Sequence, residues 1–357
     1  MNFQEILAKI LLFPLSLLYG LGVNMRNFFY KTKMLRSVEF DIPVISVGNL
    51  SVGGAGKTPH IEYLIELLRP YLFVATLSRG YKRKTEGFIA VLPEHTALQV
   101  GDEPLQYKRK YPDVFVTVSE NRAFGIPKLM MQKPDTQVIL LDDAFQHRAV
   151  TPGLNILLTE YSRLYTDDFL LPMGRLREWS GAAKRADIII VTKCPLDITT
   201  TEKEKIRLKL APEKGQQMYF TYYDYPRDPY YILNGQQSVQ LTSTLDILMV
   251  SGIARADYLA DWLNTKVNSV RLLEFADHHF FTASDIGHIQ KVFESINSGN
   301  KVIITTEKDA VRFQMHYDYI VKEKLPVFAL PTKVAFHFNE AKDFDSGIKK
   351  FLLDFRA

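Results

Sequence analysis

From Pro43 to about Thr192, short apolar runs alternate with stretches of helical periodicity. Pro43–Val47, Phe73–Leu77, Val114–Val118, Val138–Leu141, Ile156–Leu158 and Ile188–Val191 predict strands. Strands separated by helices predict a parallel sheet covered on both faces. The alternation breaks between Tyr219 and Leu241, a segment rich in Tyr, Asp, Pro and Gly. There Asn234-Gly235 separates two β-like runs, Tyr230–Leu233 and Ser238–Leu241, which is a hairpin signal. A second alternating set follows: strands at Ile247–Val250, Ser269–Leu273, Lys301–Thr305 and Val327–Leu330, with helices near Tyr258–Asn264 and Ile286–Ile296. The tail from Val334 to Ala357 reads as a short strand and a closing helix. The expectation is an α/β chain. An N-terminal helical segment covers 1–36, a parallel-sheet domain 37–218, a β-hairpin linker 219–241, and a second, smaller α/β domain 242–357.

A chain of 357 residues, 46% of them hydrophobic, has core enough for two such units. A net charge of +4 is too small to argue for nucleic acid as a partner. The single cysteine, Cys194, excludes an internal disulfide framework and fits a reducing compartment. Between Lys9 and Arg26 nothing is charged, and Ile10 to Val23 is mostly Leu, Ile, Phe and Tyr. A spanning helix wants roughly 20 apolar residues; this run is shorter and carries Pro14, Gly20 and Gly22. Followed by Arg26, Lys31, Lys33 and Arg36, it reads as a monotopic segment lying in a membrane surface, with docking on the protein's own core as the plainer alternative.

The candidate chemistry begins right after the first strand. Ser51-Val52-Gly53-Gly54-Ala55-Gly56-Lys57-Thr58 stands between an apolar strand and an amphipathic stretch, the context of a P-loop. Backbone N–H groups freed by the glycines can surround phosphate oxygens. Lys57 can reach the β/γ-phosphates of ATP, and Thr58 can hold Mg²⁺. Ser51 replaces the usual first glycine, so the match is a variant. Asp142 and Asp143 end an apolar strand, where P-loop proteins place the acid that holds Mg²⁺.

Gly101-Asp102-Glu103-Pro104 is by itself either a solvated turn or the site of a base that accepts a hydroxyl proton. Asp277-His278-His279 lacks companions at zinc spacing and reads better as a histidine tuned by a carboxylate. Basic residues in Ser78–Lys84 and Arg175–Glu178 suit a phosphorylated small molecule or lipid headgroup, though solvated surface is the default for single lysines.

In order along the chain, VGNLSVGGAGKTP (47–59), LSRGYKRK (77–84), GDEP (101–104), ENRAFG (120–125), LLDDAFQHR (140–148), LPMGRLRE (171–178), ADHH (276–279) and TTEKDAV (305–311) resemble the tetraacyldisaccharide 4′-kinase family of Gram-negative lipid A synthesis. The resemblance implies a P-loop kinase that moves the γ-phosphate of ATP to the 4′-hydroxyl of a tetraacylated diglucosamine 1-phosphate, giving lipid IVA. It also implies Mg²⁺ as cofactor, and a monotopic or peripheral place on the cytoplasmic face of the inner membrane. A monomer is expected. Asp102 matches the family's base and His278 its dyad partner, and Lys57 serves catalysis. Thr58, Asp142, Asp143 and Glu103 match the metal region, and Arg79, Tyr81, Arg122, Gln146, His147, Arg177 and Glu178 the substrate region. A membrane-associated switch ATPase is the rival from another class, but Val52 stands where such proteins carry a lysine. A GTPase is weaker still, because Pro195 follows Val191-Thr192-Lys193 where a guanine-reading Asp belongs.

Overall fold

The computed structural model describes residues 3–225, 228–233, 235–253 and 256–355. Among the described residues, fourteen strands form two sheets. The first sheet draws on β1 (Val44–Asn49), β2 (Val74–Ser78), β3 (Ile89–Ala90), β4 (Phe115–Val118), β5 (Val138–Asp142), β6 (Leu154–Glu160), β7 (Ile188–Thr192) and β8 (Gln217–Asp224). The second takes β9 (Tyr230–Tyr231), β10 (Asp246–Ser251), β11 (Ser269–Glu274), β12 (Lys301–Thr306) and β13 (Val327–Leu330). The last strand, β14 (Lys333–Phe336), returns to the first sheet, whose order is β14-β8-β7-β6-β1-β5-β2-β4-β3. The second runs β11-β10-β12-β13-β9. All pairings are parallel except the edges β3, β14 and β9.

The central strands of the first sheet, β1, β2, β5 and β7, are buried along their whole length because both faces are covered. In the first sheet Ile45, Val47, Val138 and Leu140 face the helix Lys57–Leu68. Val44, Ile139 and Leu141 face the opposite cluster with Ile126 and Leu129. The alternation predicted from sequence is therefore present as two α/β layers with parallel sheets.

Two boundaries differ from expectation. The hairpin survives as a bridge between Tyr230 and Ser238, with the Tyr231 N–H donating to the Gln237 carbonyl at 2.7 Å; its turn residue Asn234 lies outside the described residues. The flanking strands are absorbed by the sheets: β8 lies inside the first and β9 edges the second. A lone two-stranded ribbon is marginal in water, and joining a sheet supplies the missing partners. The closing strand and the helix Ala341–Asp354 also leave the expected 242–357 unit. β14 pairs with β8, and Phe344 and Ile348 are buried in the first unit's core. The chain thus crosses between sheets twice.

The N-terminal helix, Phe3–Lys31, runs through Pro14 and lies along the first unit. Ser16 Oγ donates to the Leu170 carbonyl at 3.0 Å and accepts from the Met173 N–H. Gly20 meets Trp179 and Leu170 so closely that a Cβ there would stand 2.7 Å from the indole. The opposite flank exposes Leu11, Leu18, Leu21, Met25 and Phe28. Among the described residues no helix is long and apolar enough to cross a membrane.

Candidate active site

β1 ends at Asn49, and the chain turns through 50–56 into the helix Lys57–Leu68. Gly53 and Gly56 take φ values of 109° and 86°, which strain any other residue. Ser51 has no such φ; it bridges to Leu176 instead, so this variant position needs no glycine. The segment 175–177 flanks the loop: Val52 N–H donates to the Arg175 carbonyl and Arg177 N–H to the Leu50 carbonyl, both at 2.7 Å. Lys57 Nζ lies 3.1 Å from Asn49 Oδ1 and 3.7 Å from Asp143. Arg177 grips both Asp143 oxygens, at 2.8 and 3.1 Å. Burial would raise the Asp143 carboxyl, but Lys57 and Arg177 hold it well below the usual carboxylate range.

Asp142, one residue earlier, behaves oppositely. Burial and the nearby Glu103 carboxylate push it up to about 7 against the pull of Lys57. Its Oδ2 accepts from Tyr107 at 3.1 Å, while its buried Oδ1 has no partner. Gln146 Nε2 donates to the Asn49 carbonyl at 3.0 Å. Arg122 is buried, which lowers it to about 10, and donates to the Asp142 carbonyl at 3.1 Å. Burial, then Arg122, Arg79 and Arg26, hold His147 at about 4. His147 accepts the Arg122 N–H at Nε2, 3.2 Å away.

A cleft of about 290 Å³ opens between the two sheets, over the ends of β1 and β12. Strand ends of parallel sheets converge on such crevices. Its walls include Ser51, Val52, Gly53, Gly54, Lys57, Thr58, Tyr81, Glu103, Asp143, Arg177 and His278. Ala55, Asp102, Asp142, Arg122, Gln146 and His147 stand behind that wall, and Arg79 is exposed beside Tyr81.

Across the cleft, His278 Nδ1 lies 3.0 Å from Asp102 Oδ2, joining the two units. Asp102 opens the helix Asp102–Lys110 and is 3% exposed. Its Oδ1 accepts the Glu103 N–H at 2.9 Å, and Oδ2 also receives Arg312. Burial would raise this carboxyl; Lys308, His278 and Arg312 outweigh it and hold it well below the usual range. Asp102 is thus a buried acceptor for the Glu103 N–H, Arg312 and His278, with the two residues expected as a dyad in contact. His278 reaches the cleft and packs edge-on against Tyr81, ring centres 4.8 Å apart. Its φ of 57° is left-handed, at a cost of roughly 1–3 kcal/mol for such a residue. His279 turns away to Asp285 at 2.9 Å.

Glu178 corrects the sequence reading. It is fully buried and held by Arg26, Asn27 and Arg185 at 3.0, 3.2 and 2.9 Å. It docks the N-terminal helix rather than facing substrate, because a carboxylate out of water needs such partners. The sequence reading also missed Lys308, Arg312, Asn49 and Lys193. The signal for Lys308 was present: TTEKDAV sits at the carboxyl end of a predicted strand, where ligands bind.

The profile of the tetraacyldisaccharide-1-P 4′-kinase family matches residues 8–352. The chain belongs to this family. Tetraacyldisaccharide 4′-kinase of Phocaeicola vulgatus is 44% identical over 96% of this chain and 94% of its own. That of Flavobacterium johnsoniae is 45% identical over 98% of each. The solved structure of LpxK from Aquifex aeolicus, in complex with ATP, shares 29% identity and a TM-score of 0.73 over 96% of this chain and 99% of that one. Family membership makes this chain a kinase acting on a lipid disaccharide in lipid A biosynthesis.

Proposed function

We propose that the cleft binds ATP on the 51–58 loop and passes its γ-phosphate to the 4′-hydroxyl of a tetraacylated disaccharide 1-phosphate, with the Asp102–His278 pair handling the proton. The observation that carries this reading is the 3.0 Å contact between that pair, made across the cleft that the phosphate loop lines. The hydroxyl oxygen attacks the γ-phosphorus in line, the bond to the β-phosphate oxygen breaks, and ADP leaves. The hydroxyl proton passes to His278 Nε2, the pair's cleft-facing nitrogen, and Asp102 stabilises the imidazolium from the other side. Lys57, Arg177 and the loop amides offset charge on the phosphates.

The donor set fits Mg²⁺. Asp142 presents a buried carboxylate oxygen without a partner, beside Glu103 and the first turn carrying Thr58. Among the described residues no three acids, histidines or cysteines form a metal cluster on their own. That suits an ion which takes one or two carboxylates and completes its shell with phosphates and water. Bound there, Mg²⁺ supplies charge neutralisation at the β- and γ-phosphates. Asp142, Asp143, Glu103 and Thr58 are the groups that would hold it.

The exposed apolar flank of the N-terminal helix, with Arg26, Lys31, Lys33 and Arg36 following, supports peripheral attachment to a membrane surface, for which we take the cytoplasmic face of the inner membrane. The test is transfer from γ-labelled ATP to tetraacyldisaccharide 1-phosphate in detergent micelles. Lipid product with wild type, none with Lys57→Ala and little with His278→Ala is expected. ATP hydrolysis without lipid product would overturn the reading.

A further inference from the structure

Lys308 lies in the helix Glu307–Phe313 of the second unit and lines the cleft. Its Nζ stands 3.0 Å from Glu103 Oε1 and 3.1 Å from His278 Nε2. An ammonium has donors and no lone pair, so the His278 nitrogen it meets must be an acceptor. The carboxylate of Asp102 can only accept, so Nδ1 must carry the hydrogen. The two neighbours together permit one neutral tautomer: N–H toward Asp102, lone pair toward the cleft.

We propose that Lys308 is a positioning residue of the phosphoryl-transfer step. It keeps Nε2 of His278 as the unprotonated, cleft-facing nitrogen and holds that place until the sugar hydroxyl arrives and takes over the contact. This rests on the reading of His278–Asp102 as the pair that handles the hydroxyl proton. Three further features support the assignment. The His278 N–H donates to the Gly252 carbonyl at 3.0 Å, which fixes the backbone but leaves the ring's tautomer open. Arg312, the other cation in the cluster, is spent on Asp102 and Asp309 and makes no contact with the ring. Lys308 also ties Glu103 to the second unit, so the ring is set against the acids that open the helix Asp102–Lys110 only when the two units meet.

The remaining charged and titratable groups facing this cluster are Asp277, whose carboxylate lies 3.9 Å from His278 Nε2, Lys82, which donates to the carbonyls of Asp277 and His278, and Tyr81, whose ring packs edge-on against that of His278. Without Lys308, Asp277 becomes the group nearest Nε2. As an acceptor it favours an N–H there; with Asp102 still accepting from Nδ1–H, both ring nitrogens then carry hydrogen and no lone pair is left to take a proton from the substrate.

The test uses the full chain labelled with ¹⁵N-histidine, together with the micelle assay. In wild type without substrate, His278 should show the Nδ1–H tautomer. Lys308→Met should shift it toward the form with hydrogen on both nitrogens and lower kcat by about tenfold or more, a part of the 10²–10⁴ that a positioned base supplies. KM for ATP should hardly move, and Lys308→Arg, which restores a donor, should recover the tautomer and part of kcat. A wild-type Nε2–H tautomer overturns the proposal and requires no variant to fold. So does Lys308→Met with kcat and tautomer unchanged while His278→Ala is impaired. Full turnover in His278→Ala overturns the reading beneath it instead.

Discussion

At the scale of single residues, this chain uses burial to set charge states. His60, one turn into the helix that follows the phosphate loop, donates Nδ1–H to the Gly56 carbonyl at 2.7 Å and contacts Thr221 at Nε2. Burial lowers it from 6.5 to about 4, only partly opposed by the Gly56 bond. The folded state therefore binds the proton less well than the unfolded state. Stability is full above pH 6.5 and falls as pH drops toward 4, by up to about 3 kcal/mol. His60→Gln should flatten that acid limb in denaturant titrations run from pH 7 to 4; an unchanged limb would remove His60 as its source. Asp102→Ala should keep ATP binding by calorimetry and lose most turnover, and near-normal turnover would exclude the dyad. The loop glycines, Lys57 and the adjacent acids were legible in the sequence because a P-loop is local chemistry on contiguous residues. Asp102 was legible as a candidate, but its surroundings were not. Its neighbours Arg312 and Lys308 come from the far end of the chain, and they decide whether a carboxylate is a base or an anchor.

At the scale of elements, the N-terminal helix is both docked and exposed. One flank is pinned by Ser16, Gly20 and the Arg26–Glu178 pair, and the other presents Leu11, Leu18 and Leu21 outward. The docked flank matches the plainer of the two sequence readings, and the exposed flank is what the proposed membrane attachment would use. Glu178→Ala strips Arg26 and Arg185 of their carboxylate and should cost about 3 kcal/mol. Gly20→Val should separate the helix from Trp179. Both variants should show faster proteolysis near residue 31, with the nucleotide site intact in Gly20→Val; wild-type cleavage rates would show that the dock lies elsewhere. The docked flank was hidden in the sequence because the helix has few polar residues. Its inner flank is marked by small side chains, Ser16 and Gly20, which read as breaks in an apolar run.

At the scale of the whole molecule, the site exists only where two sheets meet. The seam between the helices Asp102–Lys110 and Glu307–Phe313 is rich in charge. Lys110 sits between Glu62 and Glu307 at 2.7 and 2.8 Å, Lys308 meets Glu103, and Arg312 meets Asp102. Charged seams can part more readily than apolar ones, since each group can return to water. We expect the two units to open and close about the chain crossings between β8 and β9 and between β13 and β14. Spin labels at Lys128→Cys and Lys291→Cys, with Cys194 buried, should give a broad distance distribution without ligands. ATP analogue and lipid together should narrow and shorten it; identical distributions would mean a fixed seam.

The alternating apolar runs determined the strands, and the glycine loop with its strand-end acids determined the phosphate chemistry. Both are encoded by residues that are neighbours in the chain. Tertiary structure alone decided which sheet each peripheral strand joins, that Glu178 serves the helix dock, and that His278 meets Asp102 and Lys308. Those outcomes depend on edge pairing, burial and charge balance among residues far apart in sequence, and no local pattern reports the neighbours a side chain will meet.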